Sequence, residues 1–426
     1  VSQRADVIVV GAGPGGSCAA YHLARQGLDV LLLEKSELPR EKVCGDGLSP
    51  RAVRQLVRMG VDLAAPGWSR NRGVRFVAGD ARLEVAWPGL ASLPDYGLTR
   101  TRRDFDDLLA RRAAGAGARL RTRTRVTAPL LDRAGRVAGV HAEVGPERTP
   151  ATYRAPLVVA ADGVSARLAL ALDVTRRTDR PMGVAVRRYY RSPARHADDH
   201  LEIWFDLRLR DGRPLPGYAW VFGIGDGRVN VGLGSVDEAG AGRLDHRRLL
   251  REWLATTPVA WGLREETGAD GAVRGAALPM GFSRVPHYTR GLMLVGDSGG
   301  MVNPCNGEGI AYAMEAGELA ADIAAQALAR PEGPRRERAL RLYPAELTHR
   351  HGAYYRVGSA FAGLMTRPFF PKLLHRAGMR SPATMRLLVR LLSNVYDRPG
   401  RDATDHAIEA LLRLVPSGAP GRRRSG

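Results

Sequence analysis

Three runs of apolar, largely β-branched residues punctuate the chain. Each ends in a turn of small residues and gives way to a helix-like stretch. The first is Ala5-Asp6-Val7-Ile8-Val9-Val10, followed by Gly11-Ala12-Gly13-Pro14-Gly15-Gly16. The second is Leu157-Val158-Val159-Ala160, followed by Ala161-Asp162-Gly163. The third is Leu292-Met293-Leu294-Val295, followed by Gly296-Asp297. Runs with few polar positions predict strands buried on both faces. Residues 17–26 read as a helix ended by Gly27, and 29–33 as a second buried strand with Glu34 at its end. Further helices are predicted over 50–59, with Ser49 as cap and Pro50 at the first helical position, and over 101–114. Strands are predicted over 73–78 and 82–87 as a pair around Gly79-Asp80, over 119–126, and over 135–143 and 152–160 around Gly145-Pro146.

The pattern changes between Met182 and Gly234 to alternating or apolar runs separated by turn residues: 183–190, 201–207, 217–224 and 229–234, with Gly225-Asp226-Gly227 as a hairpin turn. A helix over 246–256 and a strand over 273–280 complete this sheet. A long helix is expected over 310–329, after a glycine-dense loop, and a linker at 331–334 follows it. Beyond the linker the period is helical, over 335–343, 344–366, 371–378, 382–396 and 404–415. The first two of these are either separate or one helix kinked at Pro344. The fold class is therefore α/β. A Rossmann-type dinucleotide-binding domain (1–71, 98–178 and 286–330) is interleaved with an antiparallel β-sheet substrate domain (72–97 and 179–285), and a C-terminal helical region (331–426) follows.

The glycine loop carries the first chemistry. Gly11 permits a tight turn, Gly13 lets backbone approach a pyrophosphate, and Gly16 lets the helix pack closely. A helix N-terminus offers free N–H groups and the positive end of a dipole to phosphates. Glu34 stands at the distance expected of a ribose acceptor. Strand, loop, helix, strand and acid together point to a dinucleotide, and leave FAD and NAD undivided. A second loop, Pro39-Arg40-Glu41-Lys42-Val43-Cys44-Gly45-Asp46-Gly47-Leu48-Ser49-Pro50, sets one cysteine among glycines, either against a ligand or as an ordinary loop.

Composition adds limits. The 426 residues suffice for two or three domains, and no run approaches the roughly 18 apolar residues that span a bilayer. A strand begins at Ala5 with no leader-like stretch before it, so the expected location is cytoplasmic. Cys18, Cys44 and Cys305 are odd in number and far apart, which argues against a disulfide framework and against a zinc site; no metal is expected. The formal charge of +20 is nearly all arginine, Lys35, Lys42 and Lys372 being the only lysines. It reflects either the codon bias of a GC-rich genome or attraction to an anionic surface. No nucleic-acid module accompanies it. Phe361, Leu364, Met365, Phe369 and Phe370, with arginines around them, either rest on a membrane as a peripheral contact or pack on the body of the protein.

The order of Gly11 to Gly16 with Glu34, Asp162-Gly163 and Gly296-Asp297 resembles the FAD-binding fold of para-hydroxybenzoate hydroxylase-like flavoproteins. Within that fold the chain resembles the geranylgeranyl reductase family, nearest its actinobacterial menaquinone-reductase-like branch. The residues that carry this are 39–53, Asn303-Pro304-Cys305-Asn306-Gly307-Glu308-Gly309-Ile310, and the aromatic strand Gly217-Tyr218-Ala219-Trp220-Val221-Phe222. The resemblance selects FAD. It implies cofactor contacts at Gly11, Gly13, Pro14, Gly15, Gly16, Glu34, Lys35, Arg40, Cys44, Gly45, Arg102, Val126, Asp162, Gly163, Gly296, Asp297, Gly307, Gly309 and Ile310. Val126 would end its strand beside the adenine, and the helix at Ile310 would offer N–H groups to the flavin. Cys44, Tyr218 and Trp220 are the candidate catalytic residues. Cys44 positions substrate or donates a proton, and a Cys44–Cys305 redox pair is a minor alternative. One departure stands out, Gly223 where the family has proline.

The implied reaction saturates a carbon–carbon double bond in an apolar, prenyl-type substrate by hydride transfer from reduced FAD, with NADPH or NADH as electron donor. The alternatives are a reductase or monooxygenase that tailors a natural product such as a polyketide, and a non-catalytic flavin scaffold. Oligomeric state is left open.

Overall fold

The computed structural model describes residues 3–236, 244–367, 369 and 381–414. The expectations for Phe370, the helix over 371–378 and the arginines Arg422-Arg423-Arg424 lie outside those residues.

The opening strand, Val7–Val10, lies in the middle of a six-stranded sheet, next to Val30–Leu33 on one side and Leu157–Ala160 on the other, all parallel. Leu292–Leu294 continues the parallel set beyond Leu157–Ala160, and Arg119–Arg121 closes the other edge. The small-residue turns after the three runs, and Glu34 after the neighbouring strand, therefore leave the same end of one sheet. The helix Pro14–Arg25 starts three residues earlier than the sequence pattern predicts, with Pro14 in its first turn, where a missing N–H costs nothing. It packs with the helix Ile310–Leu328 in one core that includes Val9, Leu32, Val159 and Met314.

A seven-stranded sheet is built from Ala269–Pro279, Met182–Arg191, Arg228–Val236, Gly217–Gly223, His200–Trp204, Gly73–Ala78 and Ala81–Ala86, in that order. Its pairs are antiparallel except where Gly73–Ala78 runs parallel to His200–Trp204. The alternation along Gly217–Gly223 divides two cores. Tyr218, Trp220 and Phe222 face the core that holds Phe76, Leu201 and Val389. Ala219 and Val221 face the one that holds Trp253 and Leu250, from the helix His246–Thr256.

Four expectations need correction. The strand expected over 119–126 is two strands, Arg119–Arg121 in the parallel sheet and Thr124–Leu131 in a separate four-stranded sheet, because Arg123 turns with φ 50° between them. The strand expected over 152–160 divides likewise into Thr149–Arg154 and Leu157–Ala160. Val126 consequently sits inside its strand, beside a bulge, and does not end it. In the tail the chain breaks at Arg341, between Pro334–Leu340 and Leu342–Leu347; Pro344 lies in the first turn of the second helix, where it fits without a kink. Helical backbone then continues through a π-turn at Thr348–Gly352 into Ala353–Met365. Pro382–Leu392 and Ala403–Leu414 follow. Among the described residues no helix is long and apolar enough to cross a membrane.

Gly16 sets how closely the first helix meets its loop, since a Cβ there would stand 1.8 Å from the carbonyl oxygen of Gly11. Gly16→Ala is expected to cost about 2–3 kcal/mol of stability, the penalty of overpacking that cannot relax. A denaturant midpoint unchanged from the wild type would contradict this.

Candidate active site

A cavity of about 550 Å³ lies where the C-terminal ends of the parallel strands meet the aromatic face of the large sheet. At one end it is lined by Gly11, Gly13, Pro14, Gly15, Glu34, Lys35, Arg40, Val126, Asp162, Gly163, Gly296 and Asp297. Towards the middle come Arg102, Cys44, Gly45, Gly307, Gly309 and Ile310. At the other end the wall is Tyr218, Trp220 and Phe222 with Val74, Phe76, Leu201 and Phe205. One cavity thus gathers every site residue expected from the sequence except Gly16, which supports the loop from behind.

The residues fit a dinucleotide. Neither Gly13 nor Gly309 carries a capping side chain, so the first-turn N–H groups of the Pro14–Arg25 and Ile310–Leu328 helices have no side-chain cap beside the cavity. At Gly13 a Cβ would meet only the Arg40 guanidinium, at 3.9 Å. Asp162 accepts the Leu168 N–H through Oδ2, while its buried Oδ1 has no partner. Burial raises the Asp162 carboxyl above its ordinary pKa, and the Lys35 ammonium is lowered by partial burial.

Glu34 has work within the protein as well. Its Oε2 accepts the Ala12 N–H at 2.9 Å and its Oε1 the Ser36 N–H at 3.0 Å, which clamps the glycine loop to the second strand. Arg40 lies between Glu34 and Asp106, and Asp106 also takes a bidentate pair from Arg102, at 2.8 and 2.9 Å. Two arginines are thereby fixed at the cavity wall by one buried carboxylate.

The cysteine loop is tied to the large sheet by groups that sequence reasoning did not single out. Asp46 is fully buried at φ 66°. Its Oδ1 accepts the Arg102 N–H at 3.1 Å, and its Oδ2 accepts the Tyr189 hydroxyl at 2.6 Å and the Asn230 amide at 2.7 Å. Asn230 also donates to the Cys44 carbonyl and accepts the Trp220 indole N–H at 2.9 Å. Trp220 is therefore held by a hydrogen bond to a residue on the neighbouring strand. Burial raises Asp46 to about 6, against the opposing effect of the bonds from Tyr189 and Asn230. The local sign of this network is a polar Asn230 in the otherwise apolar run 229–234.

Burial also raises the Cys44 thiol, although Arg102 opposes it, so Cys44 is a neutral thiol at the wall. Cys305 is pushed up to about 12 by burial, and all three cysteines are free. Tyr218 donates its hydroxyl to the Asn306 carbonyl at 2.5 Å. The hydroxyl of Ser49 does not cap its helix; it donates to Glu308 Oε1 at 2.5 Å. The tail helices close the apolar end through Phe361, Met365, Met385, Leu388 and Leu392, so Phe361 and Met365 belong to the cavity wall. Gly223, the departure from the family pattern, has a local cause: a Cβ there would stand 2.6 Å from the His196 carbonyl oxygen.

The FAD binding domain family matches residues 4–199. A menaquinone reductase of Mycobacterium tuberculosis is 37% identical over 407 residues, covering 94% of each chain. A digeranylgeranylglycerophospholipid reductase of Methanopyrus kandleri is 33% identical over 334 residues, covering 76% of this chain and 81% of that protein. The chain belongs to the geranylgeranyl reductase family of FAD-dependent oxidoreductases. Among solved structures, a geranylgeranyl bacteriochlorophyll reductase-like protein of Thermoplasma acidophilum shares this family member's fold, with a TM-score of 0.75, 23% identity and 96% of each chain covered.

The folded pKa of Asp46 lies above its ordinary 3.8, so the native chain holds that proton more tightly than the unfolded one. Its stabilising contribution is full below about pH 4 and is lost as the pH rises through about 6. In Asp46→Asn, which keeps the shape and suits the backbone, this slope should vanish. Denaturation of both proteins between about pH 4 and 7 should show the wild type losing stability relative to the variant up to about pH 6, then running level. A flat difference would contradict the assignment.

Proposed function

We propose that this protein saturates a carbon–carbon double bond in the isoprenoid chain of a lipid or quinone, with NADPH or NADH as the electron donor. The observation that carries the reading is the single cavity, in which a dinucleotide cradle runs without a break into an aromatic and aliphatic wall. The two relatives, a menaquinone reductase and a digeranylgeranylglycerophospholipid reductase, support the substrate class. When bound, FAD supplies a two-electron hydride carrier.

In this reading residues 1–71, 98–178 and 286–330 hold the cofactor, 72–97 and 179–285 form the substrate wall, and 331–426 is the helical region that closes it. The composition of the two large sheets supports that division. The free N–H groups following Gly13 hold the pyrophosphate, with Pro14 and Gly15 beside it, while Glu34, Lys35 and Val126 meet the adenosine. Asp162, Gly163, Gly296 and Asp297 hold the linking chain. Gly307, Gly309 and Ile310 present N–H groups to the ring, and Arg40, Arg102 and Gly45 complete its surroundings. Tyr218 and Trp220 orient the alkene on their shared face. Cys44, as an uncharged thiol, packs the substrate at the reacting carbon. The apolar wall keeps water out of the pocket around the double bond.

Anaerobic holoenzyme given NADPH and a digeranylgeranyl glycerophospholipid, which has alkenes but no quinone, should consume NADPH and yield a product heavier by one hydrogen molecule's mass. Oxygen incorporation in air would favour the tailoring monooxygenase instead, and no turnover with any alkene would overturn the reductase reading. In Cys44→Ala, FAD should remain bound while kcat/KM falls about tenfold, roughly 1.4 kcal/mol of positioning lost. Full turnover in that variant would remove Cys44 from the site.

We further propose that the edge beside Phe361 and Met365 rests on lipid. Leu364 and Phe369 are 42% and 62% exposed there, and the chain carries a net charge of +20. Sedimentation with anionic phosphatidylglycerol vesicles should fall in Leu364→Asp relative to the wild type; equal sedimentation would remove the contact.

A further inference from the structure

The reductase reading leaves the proton unassigned, and the loop before the Ile310 helix holds a carboxyl suited to it. Glu308 and Ser49 both line the cavity. The Ser49 hydroxyl lies 2.5 Å from Glu308 Oε1, and Glu308 Oε2 is buried with no partner. The loop that carries Glu308 is pinned on several sides. The Asn303 N–H donates to the Glu308 carbonyl at 2.8 Å, and the Glu308 N–H donates to Asn306 Oδ1 at 2.9 Å. The Asn303 amide donates to the Leu392 carbonyl and the Tyr354 hydroxyl, each at 3.1 Å.

We propose that Glu308, hydrogen-bonded to Ser49, is the acid that protonates the alkene carbon next to the one that receives hydride. A charged carboxylate with an unpartnered oxygen in this setting is costly, so the neutral acid is the resting form. The groups around it agree. Arg51 is the cation that favours its charged form, yet the guanidinium is committed to Glu315 at 2.6 Å, and the Glu315 carboxylate itself disfavours a second negative charge. Tyr218, Tyr312 and Tyr355 are held as neutral phenols by burial. Burial raises Glu308 to about 7, with Ser49 and Arg51 opposing, so the group can both give and regain a proton near neutrality. The balance is simple. The double bond gains one hydride at one carbon and one proton at the other. Both electrons come from the reduced cofactor, and Glu308 is left as a carboxylate beside Arg51 until water returns its proton.

The inference rests on the reductase reading, and the test separates the two. The probe is a digeranylgeranyl glycerophospholipid, which carries alkenes but no quinone, mixed anaerobically with pre-reduced holoenzyme. In Glu308→Gln, reoxidation by the alkene should fall at least about a hundredfold, while FAD binding and thermal midpoint stay at wild-type values. Glu308→Asp should recover part of the rate. The wild-type rate should decline as the pH rises through about 7, and in Ser49→Ala that limb should move to higher pH, because the bond that lowers the carboxyl's pKa is gone. Difference infrared spectra of the holoprotein give a readout free of turnover: a protonated-carboxyl stretch that titrates near pH 7 and is absent in Glu308→Gln. If the wild type turns over and Glu308→Gln matches its rate and pH limb, Glu308 is not the acid and the reductase reading stands. If no protonated carboxyl titrates near neutrality, Glu308 is likewise excluded. If the wild type reduces no alkene at all, the reading and the inference fall together.

Discussion

The structure depends on the close approach of two helices whose N-termini share one cavity. A Cβ on Gly317 of the Ile310–Leu328 helix would lie 2.5 Å from the Gly15 carbonyl oxygen, and one on Gly15 would lie 2.8 Å from Val295 Cγ1. Small residues at this crossing let the backbones of Pro14–Arg25 and Ile310–Leu328 meet almost without intervening side chains. Two positive dipole ends then face the same space with no acidic side chain capping either helix. Such an arrangement favours an anionic, hydrogen-bond-accepting ligand.

The substrate end obeys a second constraint, that buried polar groups must find partners. Asp46 lies between the cofactor-facing loop and the aromatic strand, and satisfies Arg102, Tyr189 and Asn230 together. Its burial costs free energy, and what it fixes is position: Trp220 is aligned through Asn230, and the Cys44 backbone is tied to the same amide. The hydrogen bond adds a direction that apolar packing alone does not supply. The aromatic wall is thereby anchored to the loop that carries Cys44.

The helical tail has a mixed role. Tyr354, Tyr355 and Tyr312 form a buried aromatic cluster with hydroxyls bonded to backbone carbonyls or to Asn394, which fastens the tail to the cofactor-side helix. Beyond that anchor, Phe361 and Met365 turn towards the cavity while Leu364 and Phe369 turn out. One stretch thus supplies both cavity wall and exposed apolar side chains.

The sequence by itself determined whatever depends on neighbours close along the chain. The glycine loop with its flanking strand and helix, the turns at Asp162 and Asp297 and the period-two aromatics Tyr218, Trp220 and Phe222 are local signals, and each stands within a few residues of where its pattern put it. Tertiary structure decided the rest, because those features depend on partners distant in sequence. Arg123 divides a run that looks continuous, since its two halves pair with different strands. Ser49 has the residue type and position of a cap, yet its hydroxyl turns to Glu308, more than two hundred residues away. Asp46, Asn230 and Glu308 are ordinary polar residues in the linear chain. Only burial, which raises the cost of charge and leaves an oxygen without a partner, gives them chemical character.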